Sequence, residues 1–386
     1  MKSQSKKRVF VAMSGGVDSS VAAALLQKQG YEVTGVFMRP WSPNSEITDS
    51  GLRIKGQQSV MRNSQLDNCL WKRDREDAMR AASVLGIPLL TWDFSKEYKK
   101  EVGDYMIREY KGGRTPNPDV MCNKEIKFGL FFKKALREGA DFIATGHYVC
   151  LRRTSKKLKV PKVHKGQKLY KHYELYKLLT AVDKNKDQSY FLWTLKQEQL
   201  RYCLFPIGDY LKPEVRKLAK EFGLSNHDKK DSQGVCFIGP LDMKNFLSKY
   251  IKNKVGKIIN TDGLIVGEHD GVYYYTIGQR HGLNIGDGGG PYYVIKKDLK
   301  KNIIHVGKEG DLRGLKTKVT DLSWLNNKIT FPAKIDVKIR YRSKSEKAIL
   351  SKDGTLKFIR PIRAITSGQS AVFYRKNELL GGGIIK

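Results

Sequence analysis

The sequence predicts an α/β protein in three parts. Residues 1–239 alternate strand-like apolar runs with helical segments, an order typical of a parallel sheet with right-handed crossovers. Residues 240–308 contain one short helical segment, at 243–250, and brief strand-like runs separated by glycine turns, which predict a small mixed linker domain. The predicted strands of this part are 256–259, 264–267, 272–277, 292–296 and 303–306. Residues 309–386 contain further short strand-like runs, which predict an antiparallel β-barrel.

The elements of the first part follow from apolar spacing. Predicted strands cover residues 9–13, 30–38, 87–93 and 140–148. Predicted helices cover residues 21–26, 73–85, 97–110, 122–137 and 213–223. We interpret the polar segment 39–68 as a long loop and the lysine-rich segment 152–171 as an exposed insertion. Because ligands of such sheets bind outside the carboxyl ends of the strands, we expect one pocket where these strands end.

The loop after the first strand is typical of a phosphate or pyrophosphate site. It reads SGGVDSS from Ser14 to Ser20, between a β-branched run and small helix-forming residues. Two glycines allow a close approach of the backbone, and the helix N-terminus directs free N–H groups at the turn. No lysine follows the glycines, so this is not the GxxxxGK[ST] loop. Asp18 is the candidate ligand for Mg²⁺, which prefers carboxylate oxygen.

The charge balance points to a polyanionic partner. Lys and Arg number 72 against 39 Asp and Glu, a formal net charge of +33. Nucleic acid is the leading candidate, and a lysine-rich solvated surface is the alternative. No apolar run reaches transmembrane length. The basic start, MKSQSKKR, lacks the apolar core of a secretory signal, so it is either the remnant of an organellar presequence or a solvated tail.

The five cysteines fit a reducing compartment better than a disulfide framework, since their number is odd and none has CxxC spacing. Cys122 follows a Pro-Asn-Pro-Asp turn at a predicted helix start beside Lys124, and both features favour the thiolate. Cys236 lies in a glycine-flanked segment. Cys69, Cys150 and Cys203 have apolar or aromatic neighbours and are expected to be inert.

A series of motifs gives this chain a family resemblance. In order they are SGGVDSS, GRTPNPDVMCNKEIKFG, ATGHY, KDQSYFL, DSQGVCFIG, YTIGQRHGL, TSGQSAVFY and LGGGII. Together they resemble the tRNA-specific 2-thiouridylases from residue 8 to the C-terminus, with 39–68 and 152–171 foreign to the match. SGGVDSS alone is shared with other enzymes of the adenine-nucleotide α-hydrolase-like (PP-loop) fold. The pairing of the motifs around Cys122 and Cys236 is specific to this family.

The resemblance implies a tRNA-uridine 2-sulfurtransferase. ATP would adenylate the C2 oxygen of the wobble uridine and release pyrophosphate. Sulfur would arrive on Cys236 as a persulfide, from a donor protein. Cys122 would then either free sulfide, closing a Cys122–Cys236 disulfide, or assist direct attack at C2, and a reductant would reset the disulfide. Asp119 would act as general acid or base at the uracil ring.

The resemblance also assigns binding residues. Those expected to line ATP are Ala12, Met13, Ser14, Gly15, Gly16, Val17, Asp18, Ser19, Met38 and Gly146. Those expected to contact the target base are Asn117, Pro118 and Asp119. Those expected to touch other parts of the tRNA are His147, Lys186, Asp187, Gln188, Arg340, Tyr341 and Gln369. The expected substrates are the tRNAs for lysine, glutamate and glutamine.

Compartment and alternatives remain open at this point. The basic charge and the lysine-rich insertion favour a mitochondrial member, with the bacterial cytoplasm as the alternative, and we expect a monomer with no membrane segment. A second hypothesis is another PP-loop ATP-pyrophosphatase, such as an amidotransferase-type synthetase, which needs no cysteine pair. A third is a non-enzymatic basic RNA-binding protein, which needs neither ATP nor Asp18.

Overall fold

The computed structural model describes residues 6–42, 70–159, 170–231, 243–286, 288–326 and 329–386. Cys69, Cys236 and most of the predicted loop 39–68 lie outside these ranges.

A parallel five-stranded sheet forms the centre of the N-terminal part, in the order β3-β2-β1-β4-β7. Its strands are β1 Arg8–Ala12, β2 Glu32–Arg39, β3 Leu89–Asp93, β4 Phe142–Thr145 and β7 Cys203–Leu204. The helices of this part are α1 Val17–Lys28, α2 Leu70–Leu85, α3 Ser95–Tyr98, α4 Asp104–Lys111, α5 Pro118–Met121, α6 Phe132–Arg137, α7 Gln197–Leu200 and α8 Lys212–Glu221. The predicted parallel sheet is confirmed, and β7 is a strand too short for its pattern to predict.

Both faces of this sheet are covered. Alternate residues of β1 enter different cores, with Val9 and Val11 on the face of α1 and α8, and Phe10 and Ala12 on the other face. This burial on both sides explains the continuous apolar run that β1 shows in the sequence. The carboxyl ends of β1, β2 and β4 therefore lie together at one edge.

Two predicted helices contain π-helical turns. Lys99–Gly103 is π-helical between α3 and α4, and Cys122–Phe131 is π-helical between α5 and α6. The second helix also begins earlier than predicted, at Pro118, because the side chain of Asn117 caps it by accepting from the Val120 N–H. Wide turns of this kind often mark functional segments of helices.

The segment predicted as an exposed insertion, 152–171, begins and ends in the two strands of a β-hairpin, and Arg152, Arg153 and Ser155 at its start are exposed. Strands β5 Val149–Lys159 and β6 Tyr170–Thr180 pair antiparallel over their whole length, and β6 pairs with the C-terminal strand through Leu179 and Glu378. The residues between the two strands lie outside the described ranges. Lysines hid this hairpin because they occupy both strands.

The middle part carries helix α9 Met243–Ser248 and a four-stranded mixed sheet in the order β10-β11-β8-β9. Its strands are β8 Gly256–Ile259, β9 Ile265–His269, β10 Tyr293–Asp298 and β11 Ile303–Gly307. A strand was also expected at 272–277, and this was wrong. The chain makes a 3₁₀ turn at Val272–Tyr274 instead, because Gly271 and Gly278 both adopt positive φ and turn the chain on either side.

The C-terminal part is a closed antiparallel barrel, as predicted. Its described strands follow the order β12-β15-β14-β13-β16-β17, and a β12–β17 pairing closes the cylinder. They are β12 Arg313–Trp324, β13 Ala333–Lys338, β14 Glu346–Leu350, β15 Thr355–Arg363, β16 Ser370–Arg375 and β17 Glu378–Ile385. The interior holds Val337, Leu350, Phe358 and Phe373. None of the helices in the described part of the chain is long and apolar enough to cross a membrane.

Candidate nucleotide and target-base site

The loop between β1 and α1 and the end of β4 together form a cradle. Its shape requires a glycine in each of the two segments. Gly15 has φ +75°, and a Cβ there would lie 2.0 Å from the carbonyl oxygen of Asp74. A Cβ on Gly146, after β4, would lie 2.6 Å from the backbone nitrogen of Ser19. The end of β4 therefore packs directly on the first turn of α1, which brings two of the predicted ATP-binding segments together.

Serine hydroxyls hold the shape of this loop. The Ser14 N–H donates to Ser19 Oγ at 3.2 Å, and the hydroxyls of Ser19 and Ser20 each donate to the Gly16 carbonyl at 3.1 Å. Gly16 caps α1 in an extended conformation without a side-chain cap bond. The first N–H groups of α1 thus remain directed at the cradle, which is the arrangement that binds phosphate.

Asp18 lies at the centre of a charge network. Its Oδ1 accepts from the Tyr148 hydroxyl at 2.9 Å and from Lys212 Nζ at 2.6 Å. Lys212 is buried and also pairs with Asp231 at 2.9 Å, and Asp231 in turn contacts Lys186 and Arg216. Burial acts to raise the pKa of Asp231, but hydrogen bonds from Lys186 and Lys212 outweigh it and lower the pKa to about 2.

The segment before Asp231 also packs on the cradle. Asn226 Nδ2 donates to the Gly15 carbonyl and to Ser20 Oγ, both at 3.1 Å. Lys229 Nζ contacts the same Gly15 carbonyl at 3.3 Å and pairs with Asp74 and Asp77 of α2 at 2.7 and 2.6 Å. The cradle is therefore braced from two sides.

The cradle fits a nucleotide phosphate chain and one hard cation. The described residues contain no group of three or more His, Cys, Asp or Glu side chains that could hold a metal ion by themselves. Asp18 offers a carboxylate there that is about one third exposed. Mg²⁺ commonly binds through one or two carboxylates together with substrate phosphates, so this donor set is compatible with it.

A second group of predicted residues forms the start of α5. Asn117 caps that helix, Pro118 is its first residue and Asp119 lies in its first turn. Cys122 follows, 1 % exposed, with its Sγ 2.6 Å from the Tyr98 hydroxyl. Lys124, expected to favour the thiolate, pairs with Glu125 at 2.8 Å. The Cys122 thiol thus lies in the same hydrophobic core as Ala12, and Met38 packs against that core.

Two of the other cysteines, Cys150 and Cys203, lie in the described part of the chain, and the sequence predicted both to be inert. Cys150 and Cys203 are buried, and burial raises the pKa of both thiols, that of Cys150 to about 11. Cys236 lies outside the described residues. Its relation to Cys122 stays a prediction.

Two residues expected to touch tRNA, His147 and Asp187, are buried, and a third, Gln188, is partly buried. The Nδ1 atom of the buried His147 forms a 2.7 Å hydrogen bond with Thr145 Oγ1. Burial, together with the charge of Lys127, lowers the pKa of His147 well below 6.5. Asp187 is buried and pairs with Lys338 of the barrel at 3.1 Å. Gln188 Oε1 accepts from the Tyr148 N–H at 2.9 Å. These contacts give each residue a positioning role in the folded chain.

Lys186 pairs with Asp231, and the other three predicted tRNA residues, Arg340, Tyr341 and Gln369, lie where the barrel meets the rest of the chain. Arg340 donates to the carbonyls of Ile277 and Ala364 at 3.0 and 3.1 Å. Tyr341 packs on Phe191 with ring centroids 4.5 Å apart. Burial raises the pKa of Tyr341, and the nearby charges of Asp187 and Asp119 act in the same direction. Tyr341 of the barrel part therefore lies near the turn at residues 117–119, which we call the target-base turn.

Lys212, Asp231, Asn226 and Lys229 were missed as site residues by the sequence reasoning. The helix around Lys212 was predicted correctly as amphipathic, and its lysine was assigned to no site. One feature of the sequence could have indicated Lys212: no lysine follows Ser14-Gly15-Gly16. A phosphate site whose loop has no cation needs a cationic side chain from another part of the chain.

The parallel sheet and the glycine cradle after its first strand define an α/β domain of the HUP class. Residues 7–240 match the family model described as the tRNA methyl transferase HUP domain. Residues 244–308 match the tRNA methyl transferase PRC-barrel domain, and residues 315–385 match the aminomethyltransferase beta-barrel domain.

Full-length relatives narrow this class to one family. The chain is 43 % identical over 392 residues to the tRNA-specific 2-thiouridylase MnmA of Geobacillus thermodenitrificans, covering 100 % of this chain and 96 % of that protein. It is also 43 % identical over 387 residues to the enzyme of that name from Listeria monocytogenes, covering 98 % and 94 %. This chain belongs to the tRNA-specific 2-thiouridylase MnmA family. Both relatives are bacterial, and nothing in them supports the expected mitochondrial origin.

Proposed function

We propose that this protein converts the wobble uridine of tRNA to 2-thiouridine at the expense of ATP. The observation that carries the proposal is identity of 43 % over the whole chain to enzymes named for that reaction. The glycine cradle at Gly15 and Gly146 supports it, because adenylation requires a site for a polyphosphate. The net charge of +33 supports an RNA substrate.

ATP is bound by the strand ends around the cradle. The free N–H groups of α1 and the Ser14 hydroxyl would bind the phosphates, and Met38 would contact the base. Asp18 would hold Mg²⁺, which would neutralise phosphate charge. Tyr148 and Lys212 orient the Asp18 carboxylate through their hydrogen bonds.

The first chemical step activates an unreactive oxygen. The C2 oxygen of the uracil ring attacks the α-phosphorus of ATP, and pyrophosphate leaves with the electron pair of the broken P–O bond. Asn117, Pro118 and Asp119 hold the base, and Asp119 exchanges the proton of the ring nitrogen as general acid or base. The base must be splayed out of the anticodon stack to reach this turn.

The second step replaces that oxygen with sulfur. The terminal sulfur of a Cys236 persulfide attacks C2, and AMP leaves with the former C2 oxygen. The Cys122 thiolate then attacks the Cys236 Sγ, which breaks the S–S bond and releases 2-thiouridine with a Cys122–Cys236 disulfide. In the alternative order, Cys122 first frees hydrosulfide, which attacks C2. Either route needs an external dithiol that returns two electrons to the disulfide.

The partners follow from this chemistry. A persulfide-carrying donor protein supplies the sulfur, and the tRNAs for lysine, glutamate and glutamine are the substrates. His147, Lys186, Asp187, Gln188, Arg340, Tyr341 and Gln369 act at the tRNA interface or position it. The bacterial relatives favour the bacterial cytoplasm over the mitochondrion, and we propose a monomer.

Nucleoside mass spectrometry tests the proposal directly. The purified protein is incubated with a lysine tRNA transcript, ATP, Mg²⁺, sulfide and a dithiol, and the digested tRNA is analysed. We expect 2-thiouridine, which depends on ATP, together with AMP and pyrophosphate. Pyrophosphate release without any thiolated nucleoside would favour another PP-loop synthetase, and tRNA binding without ATP turnover would favour a non-enzymatic RNA-binding protein.

A further inference from the structure

A loop of the C-terminal barrel holds the backbone of the target-base turn. Gln369 Nε2 donates to the carbonyl of Thr115 at 2.9 Å and to that of Pro116 at 3.3 Å. The Thr115 N–H donates to the carbonyl of Ser367 at 2.9 Å. These bonds join residues about 250 positions apart, immediately before the turn that carries Asn117 and Asp119.

The approach is too close for any side chain at Gly368. Its φ is +92°, and a Cβ there would lie 2.8–2.9 Å from the N, C and O atoms of Thr115. The loop itself is fixed to β17, because the Gly368 N–H donates to Ile385 and the Ile385 N–H donates to Gln369, both at 2.8 Å. The turn therefore rests on a rigid support.

All three parts of the chain meet at this point. Thr115 Oγ1 lies 3.2 Å from Thr276 Oγ1 of the middle part. Arg340 joins the middle part to the barrel loop, through the Ile277 carbonyl at 3.0 Å and Thr366 Oγ1 at 2.9 Å. Prolines flank Asn117 on both sides and supply no N–H donors, so the turn relies on outside groups for its position.

We propose that Gln369 and Gly368 are positioning residues for the target-base turn, so that the barrel acts in catalysis as well as in tRNA affinity. The inference rests on the proposed function, since Asn117 and Asp119 take their roles from it. The amide of Gln369 has two N–H donors, and both are used by the turn. Toward RNA it can therefore only accept a hydrogen bond.

The test separates position from affinity. Gln369→Glu replaces the donating amide with an acceptor of the same shape, and Gln369→Met removes the donors without adding charge. Gln27→Glu is the matched control, because the exposed Gln27 amide also donates to a backbone carbonyl, that of Leu85 at 2.8 Å. Three quantities are measured: amide hydrogen exchange of peptides covering 113–121, tRNA affinity, and the single-turnover thiolation rate at saturating tRNA.

We expect exchange of the 113–121 peptides to rise in both Gln369 variants, by about tenfold at Thr115, since its N–H loses protection when the support opens. The thiolation rate should fall by about 10- to 100-fold, because a displacement near 1 Å at a reacting group costs that much. The tRNA Kd should stay within about twofold, since phosphate contacts elsewhere dominate affinity. Gly368→Ala should show the same pattern, and Gln27→Glu should match the wild type.

Three results would overturn the inference. Unchanged exchange at 113–121 in both Gln369 variants would show that the loop does not hold the turn, whether or not the protein thiolates tRNA. Raised exchange with an unchanged thiolation rate would show that position there does not matter. A weakened tRNA Kd with an unchanged saturated rate would assign Gln369 to RNA binding alone. If the wild-type protein makes no 2-thiouridine, the proposed function fails, and the exchange comparison still decides whether the loop holds the turn.

Discussion

The Lys212 ammonium group lies 2.6 Å from the Asp18 carboxylate, although 194 positions separate the two residues. The same ammonium group pairs with Asp231 at 2.9 Å, and Asp231 begins the DSQGVCFIG motif that contains Cys236. One buried lysine thus joins the nucleotide cradle to the start of the second cysteine motif. Both hydrogen bonds described for the Asp18 carboxylate, from Tyr148 and from Lys212, end on Oδ1.

Asp18→Asn should abolish both pyrophosphate release and thiolation. The change removes the carboxylate that we propose as the Mg²⁺ ligand and leaves Lys212 with one anionic partner fewer. We expect a loss of about 100-fold or more, as for other groups that stabilise charge in a transition state. The measurement is tRNA-stimulated pyrophosphate release at saturating ATP.

Asp228→Asn is the control for that experiment. It makes the same chemical change at a side chain that is 90 % exposed, and it should retain wild-type activity. Pyrophosphate release that survives in Asp18→Asn would contradict the assigned role of Asp18. A wild-type protein that binds tRNA but releases no pyrophosphate would favour the RNA-binding hypothesis.

Substitution of the cysteines should separate the two chemical steps. Cys122→Ser and Cys236→Ser should each reduce thiolation below detection, because serine forms neither a persulfide nor a disulfide. Adenylation does not need either thiol, so tRNA-stimulated pyrophosphate release should continue in both variants. Nucleoside mass spectrometry and a pyrophosphate assay on the same samples measure both outcomes, with a persulfide-carrying donor protein as the sulfur source and no added sulfide.

Cys150→Ser is the internal comparison for this series. Cys150 is buried, its pKa is raised to about 11, and its Sγ donates to the Gly208 carbonyl at 3.1 Å, a bond that a hydroxyl can make. Thiolation should therefore persist. Thiolation that survives in Cys122→Ser or Cys236→Ser would refute the two-cysteine mechanism.

A lysine in the middle part should make stability depend on pH in the alkaline range. Burial lowers the pKa of Lys297 from 10.5 to about 8, while its Nζ donates to the Tyr275 carbonyl at 2.8 Å. Between pH 8 and 10.5 the unfolded chain binds this proton and the folded chain does not, so stability rises with pH across that window. Urea denaturation at several pH values measures it.

Lys297→Met should remove that rise, and the neighbouring Lys296→Met, at an exposed position, should keep it. The informative quantity is the difference in free energy of unfolding between the wild type and Lys297→Met, followed from pH 7 to 10.5. A difference that stays constant over this range would show that Lys297 keeps an ordinary pKa in the folded protein.

Local patterns made the nucleotide domain predictable, and long-range pairing limited the rest. Strand β1, the cradle and α1 follow one another within 21 residues, so their sequence carried the whole signal. The hairpin β5–β6 was not predicted, because its sheet partner, Glu378 of β17, lies about 200 positions from Leu179. Strands β12 and β15 were not predicted, since lysines and arginines on the outer face of the barrel obscure the apolar alternation.

The same limit applies to the candidate site. Motifs named the cradle and the turn at Asn117, but they could not show that Gln369 supports that turn or that Lys212 pairs with Asp18. Each of these contacts joins residues far apart in the chain, and pairs of this kind leave no periodic signal in a single sequence. The family resemblance predicted which residues belong to the site, and the structure shows which residues they contact.

The ion pair between Asp187 and Lys338 yields the last prediction. Asp187 is 2 % exposed and accepts from the N–H groups of Ala181 and Ser189, while Lys338 reaches it from β13 of the barrel. Asp187→Asn leaves the lysine without its buried counter-charge and should lower the free energy of unfolding by about 2 kcal/mol. Lys347 of β14 is 81 % exposed and pairs with Asp336, which lies on β13 with Lys338. Lys347→Met should lower the free energy of unfolding by about 0.5 kcal/mol or less. Urea denaturation gives both values, and tRNA affinity is measured on the folded variants. If Asp187→Asn weakens tRNA binding without any loss of stability, the side chain serves the RNA directly and the buried pair is not what holds the barrel to residues 181–189.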